Sequence, residues 1–145
     1  MDIKQEIESW FPNIVGKSFK IKILDTSNAE KFNCVSFTLD IYDDWLWTNE
    51  KSWPIDIPRN LGIEGFKLLY EKYNYIECDS DIFEKGYNKV AFYGKNNESM
   101  HAAKQFGNVW KSKFSSVIVE HQLDWLCGDT EDAYGEVVFI MKKLK

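Results

Sequence analysis

The chain has 145 residues, a formal net charge of −5 and a sequence pI near 5.1, with 44% hydrophobic and 16% aromatic residues. That length suits one domain over residues 1–145 with a single core, and that apolar content excludes a disordered chain. An acidic balance argues against nucleic acid as a partner, because nucleic-acid binding needs a basic face.

Residues 3–11 place Ile3, Ile7, Trp10 and Phe11 at helical spacing and meet Pro12, which predicts a short amphipathic helix. The first residues carry no apolar signal core, and no run approaches the roughly 20 apolar residues that span a bilayer. The expectation is a soluble cytoplasmic protein without a membrane partner, with export by a route that reads no cleavable signal left open. Phe19-Lys20-Ile21-Lys22-Ile23-Leu24 alternates apolar and charged residues and reads as a half-buried strand. Asp25-Thr26-Ser27-Asn28 is a turn or loop. Lys17, Lys20 and Lys22 make a small basic strip and Lys142-Lys143-Leu144-Lys145 another, and both read as solvated faces.

The next apolar run, residues 34–41, follows Asn33, a residue that caps helices well. β-branched Val35 and Thr38 leave strand as an alternative, and helix is the reading taken here. Residues 43–58 hold Trp45, Trp47, Trp53, Pro54 and Pro58, so a regular helix is excluded and a long ordered loop is expected. Leu61, Phe66, Leu69, Tyr70 and Tyr73 then predict an amphipathic helix over about residues 59–73.

The remainder reads mostly as strand. Residues 89–93 precede a turn at Gly94-Lys95-Asn96-Asn97, and a strand from Met100 to Phe106 returns through Gly107-Asn108 along residues 109–114. That turn sets Gln105 opposite Trp110, Ala103 opposite Ser112 and His101 opposite Phe114, so His101, Ser112 and Trp110 share one face. Residues 116–126 hold a strand and a helical turn, and residues 135–141 close as a β-branched strand. The fold class expected is α+β, with N-terminal helices packed on an antiparallel sheet of about four to five strands.

The cysteines, Cys34, Cys78 and Cys127, are odd in number and show no CxxC spacing, so neither a zinc site nor a disulfide framework is expected. The acidic pair Asp43-Asp44 and the run Asp79-Ser80-Asp81 lack EF-hand spacing and read as solvated loops. No metal and no cofactor is expected. Cys34 at a helix start, with His101 opening a later strand, is the one pairing that would activate a thiol. Cys78 and Cys127 have no such setting.

Asn33-Cys34 before an apolar helix, with Met100-His101 at a strand start, resembles the papain-like cysteine hydrolases, in particular NlpC-type and CHAP-type peptidases and amidases. The same segments, with the hairpin His101-Ala102-Ala103-Lys104-Gln105 and Trp110-Lys111-Ser112-Lys113, also resemble an uncharacterised bacterial domain family. The resemblance spans about residues 32–141 and implies a papain-like fold. It implies that Cys34 attacks an amide or isopeptide carbonyl while His101 holds the proton. The residue that orients His101 is open among Ser112, His121 and Glu120. The resemblance also implies an oxyanion site at Asn33 and a cleft walled by Trp45, Trp47 and Trp110, with a peptide or amide as substrate.

A second reading needs no catalysis. An acidic, tryptophan-rich chain suits a binding module for a basic protein partner, such as an immunity-type protein, with Trp45, Trp47 and the carboxylates Asp43-Asp44 at the interface and Cys34 in the core. A degenerate hydrolase fold retained for binding is a third.

Overall fold

The computed structural model describes residues 2–60 and 62–145, with the side chain of Met100 left out. Helix α1 (Ile3–Trp10) starts at Asp2, whose carboxylate accepts from the Gln5 amide at 2.8 Å while the Gln5 side chain accepts from the Asp2 N–H at 3.0 Å. It ends before Pro12, and a single 3₁₀ turn (Pro12–Ile14) carries the chain to β1 (Ile21–Ile23). Two short helices follow, α2 (Thr26–Ala29) and α3 (Cys34–Thr38), then a long loop and α4 (Ile63–Lys72). Leu61, assigned above to the helical pattern of α4, lies outside the described residues, as does Met1.

The rest is strand: β2 (Ile76–Cys78), β3 (Tyr87–Lys95), β4 (Glu98–Phe106), β5 (Val109–Phe114), β6 (Val117–His121) and β7 (Glu136–Leu144). A 3₁₀ turn (Leu123–Leu126) lies between the last two. All pair antiparallel in one seven-stranded sheet of order β1-β6-β5-β4-β3-β7-β2. This overturns the expected fold, in which helices packed on four to five strands in a papain-like arrangement. The helices are short accessories to a sheet that the N-terminal β1 and the C-terminal β7 both extend. β7 inserts between β3 and β2, a non-local pairing that no local pattern announces.

Turn chemistry explains the meander. Asn96 and Asn97 take φ of +50° and +67°, which suits the two-residue link between β3 and β4. Gly107 (φ +66°) turns β4 into β5, and Gln105 stands opposite Trp110 as the turn predicts. β4 carries one extra residue, because Tyr93 pairs with His101 while Gly94 pairs with Ser99. Such a bulge turns the residues beyond it to the other face.

Alternation builds two cores. On one face, Ala91, Tyr93, Ala103, Trp110, Phe114 and Val119 pack under Ile7, Phe11 and Ile14 from α1 and its 3₁₀ turn. On the other, Val90, Phe92, Ala102 and Met141 pack under Val35 of α3, Phe66, Leu69 and Tyr70 of α4, and Leu46, Trp53 and Ile57 of the loop. The loop is therefore core. Trp53 is 2% exposed and its indole N–H donates to the Ile57 carbonyl at 3.0 Å. Burying one such ring contributes roughly 3 kcal/mol.

Candidate functional site

Cys34 is the first residue of α3, as expected, and Asn33 caps that helix. The Asn33 side-chain Oδ1 accepts from the Ser36 N–H at 2.9 Å, and its side-chain amide donates to the Leu46 carbonyl at 2.6 Å. Asn33 thus ties α3 to the loop. At 5% exposure, with one amide N–H spent on the Leu46 carbonyl, it sits as a buried tie rather than in an open cleft. The Cys34 thiol lies against the Ala102 backbone in the α3/α4 core, and burial pushes it above the ordinary thiol range. The cation coupled to it is Lys113, whose buried ammonium donates to the Ala29 carbonyl at 2.7 Å and sits over Phe32 and Trp45 at 5.2 and 5.1 Å.

His101 is on the opposite face of the sheet. Ala102 points into the α3/α4 core, so its neighbour points into the α1 core, where the His101 ring stacks on Tyr134 at 4.2 Å and 11°. It is 2% exposed, its Nε2 has no hydrogen-bond partner, and burial with His121 nearby holds it well below the usual imidazole range. The structure therefore separates the thiol from the ring that was expected to activate it, by the thickness of the sheet.

Ser112 and His121 do meet. Ser112 Oγ is 2.6 Å from His121 Nε2, and His121 Nδ1 is 2.9 Å from the Gln122 carbonyl. A carbonyl only accepts, so Nδ1 carries the proton and Nε2 accepts from the serine hydroxyl. Burial lowers the His121 pKa to about 4. The arrangement has the connectivity of a serine–imidazole dyad, but Ser112 is 0% and His121 1% exposed, so no substrate reaches it. Glu120, the other residue considered for orienting His101, is on the opposite face. Trp110, expected in a cleft wall, is 3% exposed in the α1 core. Trp47 packs on Phe66 at 4.9 Å and Trp45 is 41% exposed.

Two open concavities carry convergent chemistry, both on the α3/α4 face. The first, a groove of about 480 Å³, lies where that face runs uncovered over β1, β6 and β5. Register puts Lys22 beside Ile118, and Lys111 beside Glu120 and Lys104. Lys20 joins them through its carbonyl, which accepts from the Glu120 N–H at 2.9 Å. Phe37, Tyr42 and Phe106 supply aromatic walls, and the Lys111 ammonium stands 4.7 Å from the Phe106 ring centre. The alternation of Lys20 and Lys22 was visible in the sequence. Their meeting with Lys111 depends on β1 pairing with β6, which was not. The second, about 620 Å³, lies at the N-terminal end of α4.

Among the described residues no cluster of histidine, cysteine, aspartate and glutamate could hold a metal ion, and no helix is long and apolar enough to cross a membrane. A family model described as a domain of unknown function (DUF7689) matches residues 23–142. No curated protein and no solved structure matches the chain.

Proposed function

The chain belongs to the DUF7689 family, and we propose that it is a non-catalytic binding module whose groove over β1, β6 and β5 takes an extended acidic segment of a partner protein. One observation carries this reading. Lys20, Lys22 and Lys111 converge on an aromatic floor, no ion pair engages them among the described residues, and Glu120 is the one carboxylate in the lining. In a chain of net charge −5 this local reversal of sign steers an acidic segment to one place and repels it elsewhere. Tyr42, 52% exposed, and Phe106, 40% exposed, would anchor apolar side chains between the charges. A peptide-hydrolysing role has less support, because Cys34 and His101 lie on opposite faces and the Ser112–His121 pair is closed to solvent.

The test is a nuclear magnetic resonance titration with a peptide of alternating glutamate and phenylalanine. Saturable shifts confined to β1, β5 and β6 are expected. Affinity should fall at least about tenfold in K20E/K22E/K111E, and it should weaken with salt. Cys34→Ser should bind as the parent does. Equal binding by the charge-reversed protein, or by a peptide with lysine in place of glutamate, would overturn the proposal.

A further inference from the structure

The concavity at the start of α4 is independent of the groove. Helix α4 has Gly62 at its N-cap, with no side chain to close the helix end, and Gly62 lines the pocket. A ten-residue helix presents partial positive charge there. Beside it stands Arg59, the only arginine in the chain. One guanidinium nitrogen, Nη1, holds the loop by donating to the Thr48 and Glu50 carbonyls. The Nε and Nη2 edge meets no protein acceptor among the described residues, so a planar pair of donors stays available.

A second observation points to a ligand. Ser99 lines the same pocket, is 7% exposed, and its hydroxyl has no hydrogen-bond partner. Leaving a buried hydroxyl unpaired costs about 1–3 kcal/mol. The bulge in β4 is what turns Ser99 to this face, since regular alternation from His101 would aim it into the α1 core. Trp47 forms an aromatic wall, and the Asn60, Asn96 and Asn97 amides offer both donors and acceptors.

We propose that this pocket binds a small organic carboxylate, its charge on Arg59 and the start of α4, its flat or apolar part on Trp47, and a polar group on the Ser99 hydroxyl. The charge count favours a carboxylate over a phosphate dianion. One guanidinium is present, no lysine lines the pocket, and Glu98 stands on its rim. A volume of about 620 Å³ suits a metabolite-sized ligand. The amides would read hydroxyl or amide groups, so the carboxylate is that of a sugar acid or of an N-acyl amino acid.

The test is titration of the full chain with glucuronate and N-acetylleucine, each beside its uncharged counterpart, glucose and N-acetylleucine amide. Saturable changes in Trp47 fluorescence and in the Asn96 and Asn97 amide resonances are expected with at least one carboxylate, and its identity separates the two sources. Arg59→Gln should weaken that binding about tenfold or more. Arg59 also braces the loop, so Ser99→Ala is the sharper variant. It should bind several-fold more weakly while melting no lower than the parent, because it deletes an unpaired hydroxyl. No response to either carboxylate, equal response to the uncharged analogues, or parental affinity in Ser99→Ala would overturn the assignment.

Discussion

Ser112 Oγ and His121 Nε2 stand 2.6 Å apart inside the α1 core, a short polar contact closed to solvent on every side. Its partners are satisfied by geometry rather than by ionisation: the serine donates, Nε2 accepts, and Nδ1–H reaches the Gln122 carbonyl. The pair joins β5 to β6 in the layer that also buries the His101 ring. Protonation would reverse that bond, with Nε2–H donating to the serine oxygen, and would leave a positive charge buried away from water.

Acid should therefore unfold the protein through its buried imidazoles. His121 and His101 are both depressed by burial, His121 to about 4. An unfolded histidine titrates near 6.5, so protons bind the unfolded chain preferentially below that pH. The stability these groups contribute is complete above pH ~6.5 and is lost as pH falls toward 4, at roughly 1.4 kcal/mol per pH unit for each histidine. Denaturant midpoints measured from pH 7.5 to 4 should show this slope, and His121→Asn should reduce it by about half. A flat profile across that range would refute the account.

Cys34 should be a sluggish thiol. Its pKa is raised by burial, which outweighs the hydrogen bond with the Ala102 backbone, and the nearby cation, Lys113, is already bonded to the Ala29 carbonyl. Alkylation by iodoacetamide at pH 7 should run at least about tenfold slower than for a free cysteine, since the thiolate is the reactive form. Rapid, selective alkylation of Cys34 at mildly acidic pH would show that the thiol is activated after all.

Lys89 is a buried lysine with a structural task. Its side chain is fully covered, and Nζ donates to the Ser80 and Ile82 carbonyls at 2.8 and 2.7 Å and pairs with Glu84 at 3.0 Å. Lys89→Met should cost about 2–4 kcal/mol, because it strands two carbonyls and takes a partner from Glu84. Calorimetry would read the loss as a lower Tm. A change within 0.5 kcal/mol would mean that the segment over β3 relaxes freely.

Gly62 should tolerate no side chain. Its φ is +58° with ψ −126°, and a Cβ would stand 2.7 Å from the Asn97 carbonyl oxygen, a backbone atom of the β3–β4 turn. Gly62→Ala should destabilise by roughly 1–3 kcal/mol. Gly107→Ala is the comparison, since it meets the same strain of positive φ (+66°) with nothing within 4 Å. The Gly62 variant should melt lower than the Gly107 variant, and equal melting would contradict a close approach.

Several elements were legible in the chain alone. The spacing of Ile3, Ile7, Trp10 and Phe11 before Pro12 predicts α1, Asn33 predicts the start of α3, and Gly107 sets the register of β4 on β5. These are short-range effects, carried by caps, turn residues and side-chain periodicity within about ten residues. The candidate site was not legible, because facing is a tertiary property. Cys34 begins a helix where the pattern placed it, whereas His101, expected to open a strand, lies inside β4, which starts at Glu98. One helix docking on the Ala102 face, rather than the Ala103 face, is enough to part them.

The same physics divides what residue order determined from what folding decided. Composition, one cap and alternation determined that this is an apolar-rich chain with a helix starting after Asn33 and a meander of strands, while the expected turn at Asp25-Thr26-Ser27-Asn28 folds as the short helix α2. The tertiary structure decided the insertion of β7, the bulge that turns Ser99, and the meeting of Lys20 and Lys22 with Lys111. Each brings together residues far apart in the chain. Such contacts are selected by the joint burial of two sheet faces, a global free energy to which no local window of sequence has access.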